Sequence, residues 1–246
     1  MQVPSILRYI TSCLALLCLP VIAFSQEDED STADKKIVVT QNRFSVGVDF
    51  FQPILNSFTG AKKSYEIAFD YSLPKDIYLA LEAGFGNAKV DYTAPTLQYT
   101  SSNSFFRVGF QKSMLQRMSA SDWDMVFIGL RYGMGFIKRS DANYTIENQY
   151  FGNSSGVIPG TNLTAHWVEI TGGMRVELVA SLFAGYNIRA KFLINPKSFK
   201  ELAPYSIAGF GKGEKTAVFD FNMYLGYAIK WNKKNVAPTT PTEPQP

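Results

Sequence analysis

Between Phe44 and Trp231 the chain repeatedly alternates a large apolar residue with a small or charged one, and its glycines fall almost entirely on the polar side of that alternation. A period of two is the signature of a β-strand, since successive side chains point to opposite faces, and no segment shows a sustained helical period instead. Eight segments qualify as strands: residues 44–50, 65–72, 77–86, 105–111, 126–136, 167–176, 182–192 and 219–231. The fifth is among the clearest, with Val126, Ile128, Leu130, Tyr132, Met134 and Phe136 on one face and Phe127, Gly129, Arg131, Gly133 and Gly135 on the other.

Alternation alone does not say which face is outside, so a soluble calyx with an apolar interior remains open at this point. Glycine placement decides it. Gly47, Gly84, Gly86, Gly109, Gly129, Gly133, Gly135, Gly173, Gly185 and Gly226 share the polar face, and Gly172 alone lies on the apolar one. The interior of a small barrel is crowded, so small residues and charges belong inside and large apolar residues outside. That inversion is the pattern of a transmembrane β-barrel. The expected fold is therefore all-β, an eight-stranded antiparallel up-and-down transmembrane β-barrel. On this parity Leu130→Arg is expected to be costly and Gly133→Ser milder.

Connection lengths agree. Short links follow the second and sixth strands, at 73–76 and 177–181, and a longer one at 113–124 follows the fourth; the others, at 52–63, 87–104, 138–163 and 195–215, are long and rich in Asn, Gly, Pro, Ser and Thr. The link ELVAS at 177–181 has neither Gly nor Pro and is the weakest turn signal. The 113–124 link has room for a short helical turn. An even strand number puts both termini on one side and the long connections on the other.

The N-terminus supplies the compartment. Arg8 is followed by an apolar run from Leu14 to Phe24 that ends in Ala23-Phe24-Ser25, so residues 1–25 read as a secretory signal peptide, too short to span a membrane. Cys13 and Cys18, the only two cysteines, lie within it, which removes disulfides and thiol chemistry from the mature chain. Leu17 before Cys18 argues against a lipoprotein site. Residues 26–43, opening QEDEDSTADKK, are expected to be disordered, as is the Pro-rich tail 232–246, leaving residues 44–231 as the barrel. A net charge of +3 with scattered Lys and Arg leaves no footprint for nucleic acid.

With these features the chain resembles the small outer-membrane β-barrel superfamily of gram-negative bacteria, over Phe44 to Trp231, including the aromatic final strand. More narrowly, Trp167-Val168-Glu169, Gly173-Met174-Arg175-Val176-Glu177-Leu178 and Gly209-Phe210-Gly211 are similar to segments of an uncharacterised Bacteroidota barrel family. The resemblance implies export to the outer membrane, lipid as the surrounding medium and insertion by the barrel-assembly machinery. A Pro-rich tail after Trp231 departs from small barrels that end on the final aromatic, so the insertion signal would be internal.

The candidate functional residues are the lumen charges: Asp49, Glu66, Asp70, Glu82, Glu169 and Asp220 against Arg107, Arg131, Arg175, Arg189, Lys191 and Lys230. Unpaired charge in a narrow interior costs several kcal/mol, so equal numbers imply pairing and a plugged lumen, with a narrow ion or solute path as the alternative. A barrel hydrolase would need a histidine beside a serine or carboxylate, and His166, the single histidine, falls on the apolar face. No Gly-x-Ser-x-Gly elbow is present, and one histidine is too few for a histidine metal site. Asp91, Asp141 and Glu147 read as solvated loop acids, and the sequons at Asn143, Asn153 and Asn162 as incidental. The loop aromatics Tyr92, Tyr99, Tyr144, Tyr150, Phe151 and Tyr205 are either self-packed or contacts for a surface ligand. A non-enzymatic barrel without metal or cofactor is the reading these residues favour.

Overall fold

The computed structural model describes residues 40–234 apart from 60–61, 94–95, 116–122, 148–149, 151 and 200. The signal-peptide reading of residues 1–25, most of the acidic segment, the tail beyond Lys234 and the centre of the 113–124 link lie outside the described residues.

The strands are β1 (Thr40–Asp49), β2 (Lys62–Leu73), β3 (Ile77–Thr93), β4 (Thr96–Ser113), β5 (Met125–Arg139), β6 (Ala142–Ile146), β7 (Ser154–Ile158), β8 (Thr161–Val179), β9 (Leu182–Leu193) and β10 (Ala217–Lys234). Eight of them pair antiparallel in the order β3-β2-β1-β10-β9-β8-β5-β4, and β4 returns to β3, which closes the sheet into a barrel. Closure joins the first and last wall strands, with Phe44 opposite Ile229 and Gly47 opposite Gly226. The protein is thus a closed eight-stranded antiparallel barrel with no free edge in its wall.

One face of the wall strands is buried and the other more open, alternating most clearly along β3, β4, β5 and the middle of β10. On β5, Phe127 and Arg131 are buried while Val126, Ile128, Leu130, Tyr132 and Phe136 are exposed; on β10, Asn222, Tyr224 and Ala228 are buried while Leu225, Tyr227 and Ile229 are exposed. The polar and glycine-rich face is the interior. Glycines there make room for larger neighbours: a Cβ on Gly109 would meet Arg131, which pairs across from it. Gly172, the exception on the apolar face, would meet only the Phe127 carbonyl.

The end of the barrel that carries the termini has tight links. Pro74–Asp76 makes a 3-10 turn with Lys75 and Asp76 at positive φ, and Ser181 takes φ 71° in the turn between β8 and β9. The link that lacked turn residues therefore closes on a serine in the left-handed region, helped by its N–H donating to Glu177 Oε1 at 2.7 Å.

The other end is more structured than a set of loops. A helix, α1 (Phe51–Thr59), follows β1, and Asp49 Oδ1 accepts the N–H groups of Phe51 and Gln52 at its start, as an N-terminal cap does. Strands β3 and β4 run on as a tall hairpin to the Thr93–Thr96 pair, absorbing most of the expected 87–104 loop. Part of the 138–163 connection folds as the β6–β7 hairpin, which leans on the top of β4 from Thr96 to Gln98. The connection after β9 turns inward. Its Ile207, Ala208 and Phe210 are buried with Phe105, Ile137, Ala165, Trp167 and Leu193, so this segment seats in the barrel mouth.

Candidate functional site

The site is built from inward positions of the wall strands. Glu82 on β3 lies directly across from Arg107 on β4, and Arg131 on β5 directly across from Glu169 on β8, so the register sets opposite charges side by side. Arg107 then reaches across the lumen. Its guanidinium pairs with Glu66, with Glu82 at 2.8 Å and with Glu169 at 3.1 Å. Arg131 pairs with Glu82 and lies 3.7 Å from Glu169. Arg189 on β9 completes the cluster at 3.0 Å from Glu66, 3.2 Å from Glu82 and 3.6 Å from Glu169. Three arginines thus interleave with three glutamates drawn from β2, β3, β4, β5, β8 and β9.

Burial makes this cluster consequential. Arg107 is 1% exposed and Glu169 0%. Ions so far from water are tolerable only when opposite charges and hydrogen bonds replace hydration, which the shared carboxylates do here.

Below the cluster, toward the termini, Asp70 pairs with Arg175 across the barrel and also accepts from Gln111 Nε2 at 3.0 Å. Arg175 Nε donates to the Tyr224 hydroxyl at 3.2 Å. Lys230 pairs at 2.7 Å with Glu177, an acid of the expected 177–181 link that lies instead within β8. Arg43, also outside the expected set, is 1% exposed. Its guanidinium has no hydrogen-bond partner among the described residues and sits 4.2 Å over the Phe183 ring and 5.1 Å over Trp123. A desolvated cation over aromatic faces is worth roughly 2 kcal/mol. A cavity of about 20 Å³ lined by Arg43, Asp70, Glu82, Arg131 and Arg175 separates the two levels, room for about one water.

Above the cluster, Lys191 pairs with Asp220 at 2.6 Å and donates to the Gly209 carbonyl at 2.7 Å. Arg107 also points a donor at Gly209, at 3.5 Å. The inward-folded segment is thereby tied to the charge network through its backbone. Asp49 differs from its expected role: it makes no ion pair among the described residues, and binds Asn222 and the start of α1 instead.

The other sequence candidates separate from this site. His166 lies on the outer face, with Nδ1 2.6 Å from the Tyr132 hydroxyl, while Glu169 points into the lumen. Among the described residues no group of His, Cys, Asp and Glu is arranged to hold a metal. The loop aromatics divide: Tyr99 is buried and accepts the Tyr205 N–H at 3.0 Å, Tyr205 meets the Tyr92 ring, and Tyr150 is open to solvent. Phe151 lies outside the described residues.

The outer face is the second element of the site. On β5 it is apolar from Val126 to Phe136. Ten residue steps at about 3.4 Å, tilted by about 40°, give a belt roughly 26 Å tall, the hydrocarbon height that membrane barrels present. Aromatic pairs flank it: Tyr65 with Phe85 at 5.5 Å and Phe106 with Phe136 at 6.4 Å toward the loop end, and Tyr71 with Trp231 at 6.2 Å toward the terminal end.

Solved structures of low identity to the chain include three small barrels. The chain is similar to the N-terminal β-barrel domain of Pseudomonas aeruginosa OprF (13% identity, TM-score 0.31, covering 77% of this chain and 98% of that one). It is similar to Neisserial surface protein A (10%, 0.36, 78% and 96%). It is also similar to Ail, the attachment invasion locus protein of Yersinia pestis, solved with the heparin analogue sucrose octasulfate (9%, 0.35, 77% and 97%). No curated protein matches the chain. A family profile does match, over residues 6–234, and the chain belongs to that family, the domain of unknown function DUF6048.

Proposed function

We propose that this chain is a non-enzymatic integral outer-membrane protein whose lumen is closed by its own charge network and whose loop end serves surface or envelope interactions. The observation that carries the reading is the opposition of the two faces. The wall turns an apolar belt of membrane height outward and interleaves arginines with glutamates inward. A soluble protein does not normally expose so continuous an apolar band. An open pore needs a continuous wide path, and between the arginine–glutamate cluster and the Asp70–Arg175 pair the lumen narrows to a cavity of about 20 Å³. In this reading residues 1–25 direct export, the assembly machinery inserts the barrel and outer-membrane lipid surrounds it.

The absence of enzymatic activity is supported by His166, which has a phenol rather than a serine or carboxylate at hydrogen-bond distance on the outer face. Fractionation of expressing cells tests the reading. The protein is expected in the outer-membrane fraction, resistant to alkaline carbonate, released by detergent and heat-modifiable on gels. Recovery in the soluble fraction without detergent overturns it.

A further inference from the structure

The outer wall carries a cationic cleft on one side, immediately above the apolar belt. Across β2, β3, β4 and β5 the register sets Lys63, Asn87, Ser102 and Lys138 in one outward row. Two residues lower along each strand the row is Tyr65, Phe85, Ser104 and Phe136, the aromatic edge of the belt. One step higher, Lys89 pairs with Thr100, whose N–H donates to Ser140 Oγ at 3.0 Å. The lysine row and the Lys89, Thr100 and Ser140 step above it line a cleft of about 550 Å³. Its exposed lining residues are Lys63, Asn87, Lys89, Thr100, Ser102, Lys138 and Ser140, whereas Ala88, Ser101 and Arg139 in the same wall are buried toward the lumen. The cleft therefore opens sideways from the barrel, not into it.

Charge is distributed unevenly around the rim. At the loop end, the outward positions of β8 hold Asn162 and Thr164, β9 has Phe192 with Ile194 just past its end, and β10 has Phe219 and β1 Val48. The opposing acids near the cleft are peripheral. Asp91 is 3.9 Å from Lys89 and accepts from Gln98 Nε2, and Asp141 accepts the Gly160 N–H. Both acids are solvent-exposed.

The geometry points to a binding site for the phosphomonoester headgroup of a lipid, with its acyl chains lying along Phe85, Phe106 and Phe136 and its phosphate held by Lys63, Lys89 and Lys138. This inference rests on the membrane-barrel reading above. Strands rise about 3.4 Å per residue, so the lysine row lies roughly 7 Å along the strands beyond the aromatic edge, at headgroup depth. Lysines supply the point charges that phosphate takes, and Ser102, Thr100 and Asn87 add neutral hydrogen-bonding groups. Lipid rather than free phosphate is favoured because the aromatic row lies on the same outward face only two residues along the strands from the lysine row.

The test uses the full mature chain in two kinds of vesicle, phosphatidylcholine alone and phosphatidylcholine with graded phosphatidic acid, reading the temperature of heat-modification. Phosphatidic acid is expected to raise the transition of wild type. In Lys63→Gln/Lys138→Gln the fraction giving half the rise should move at least about tenfold higher, since each of the two lysines near an anionic surface is worth roughly fivefold. In phosphatidylcholine alone the two proteins should match. An equal response of wild type and variant overturns the site. Free inorganic phosphate added to phosphatidylcholine vesicles should do little, and a rise matching that from phosphatidic acid overturns lipid as the ligand. Failure to insert into phosphatidylcholine at all contradicts the membrane reading itself, a result distinct from either.

Discussion

The indole of Trp167 fills the space beside Gly133 that a Cβ on residue 133 would need, and the same ring lies 5.7 Å from Phe210 in the inward-folded segment. Gly133 and Trp167 are direct cross-strand partners on β5 and β8. Their fit therefore couples the wall to the cap above the charge network. It also gives Gly133→Ser, expected to be milder than Leu130→Arg, a cost of its own. Any side chain there pushes a fully buried ring toward Ile207 and Phe210, and overpacking of this kind costs about 1–3 kcal/mol. Leu130→Arg, on the lipid face, should cost about 2–4 kcal/mol. Urea titration of both variants in lipid vesicles checks this, and a Gly133→Ser midpoint equal to wild type would show that the ring can move freely.

Arg131→Glu should be among the most damaging single changes in the lumen. It puts a third carboxylate where Glu82 and Glu169 now share a cation, and leaving buried charge uncompensated costs about 3–5 kcal/mol. Asp91→Asn removes only the exposed contact with Lys89 and should stay within about 1 kcal/mol. Equal unfolding midpoints for these two variants would argue that water reaches the network and screens it.

His166→Ala is expected to leave phospholipid and peptide turnover at the background of wild type, because the ring bonds Tyr132 on the outer wall. The imidazole is the one side chain suited to general-base work near neutral pH without a shifted pKa. Loss of a measurable hydrolysis in this variant, with heat-modifiability intact, would establish an enzyme.

The two long connections should respond differently to trimming. Removing residues 143–157 takes away a hairpin that pairs with β4 only at its tip, so the barrel should fold unchanged. Replacing residues 205–211 with a Gly-Ser linker removes Ile207 and Phe210 from the mouth cluster and the Gly209 acceptor from Lys191, and should lower the unfolding temperature clearly. The reverse order of effects would contradict the capping role of that segment.

The wall was legible because a period of two converts directly into inside and outside, and a one-residue slip would turn Leu130 inward and Arg131 into lipid. What escaped has a different physical origin. The tall β3–β4 hairpin runs through polar Ser101, Ser102 and Asn103, where inward and outward residues are alike polar and alternation gives no contrast. The short helix α1 needs only nine residues and a cap from Asp49, too brief for a helical period. The inward-folded segment is stabilised by Trp167 and Phe105, contacts far away in sequence, although the apolar Ile207, Ala208 and Phe210 between glycines and polar residues gave a local sign. Arg43 and Glu177 lie within strands that run on beyond their alternating segments, β1 from Thr40 and β8 to Val179, each one residue outside the segments 44–50 and 167–176.

Conductance of the pure wild-type barrel in planar bilayers, with insertion verified by heat-modifiability, tests the closed lumen most directly. If Arg107, Arg131 and Arg189 lock Glu66, Glu82 and Glu169 together across the interior, no steady current should flow at neutral pH and moderate voltage. Long-lived, reproducible single-channel openings from the same preparation would contradict closure and make the chain a channel.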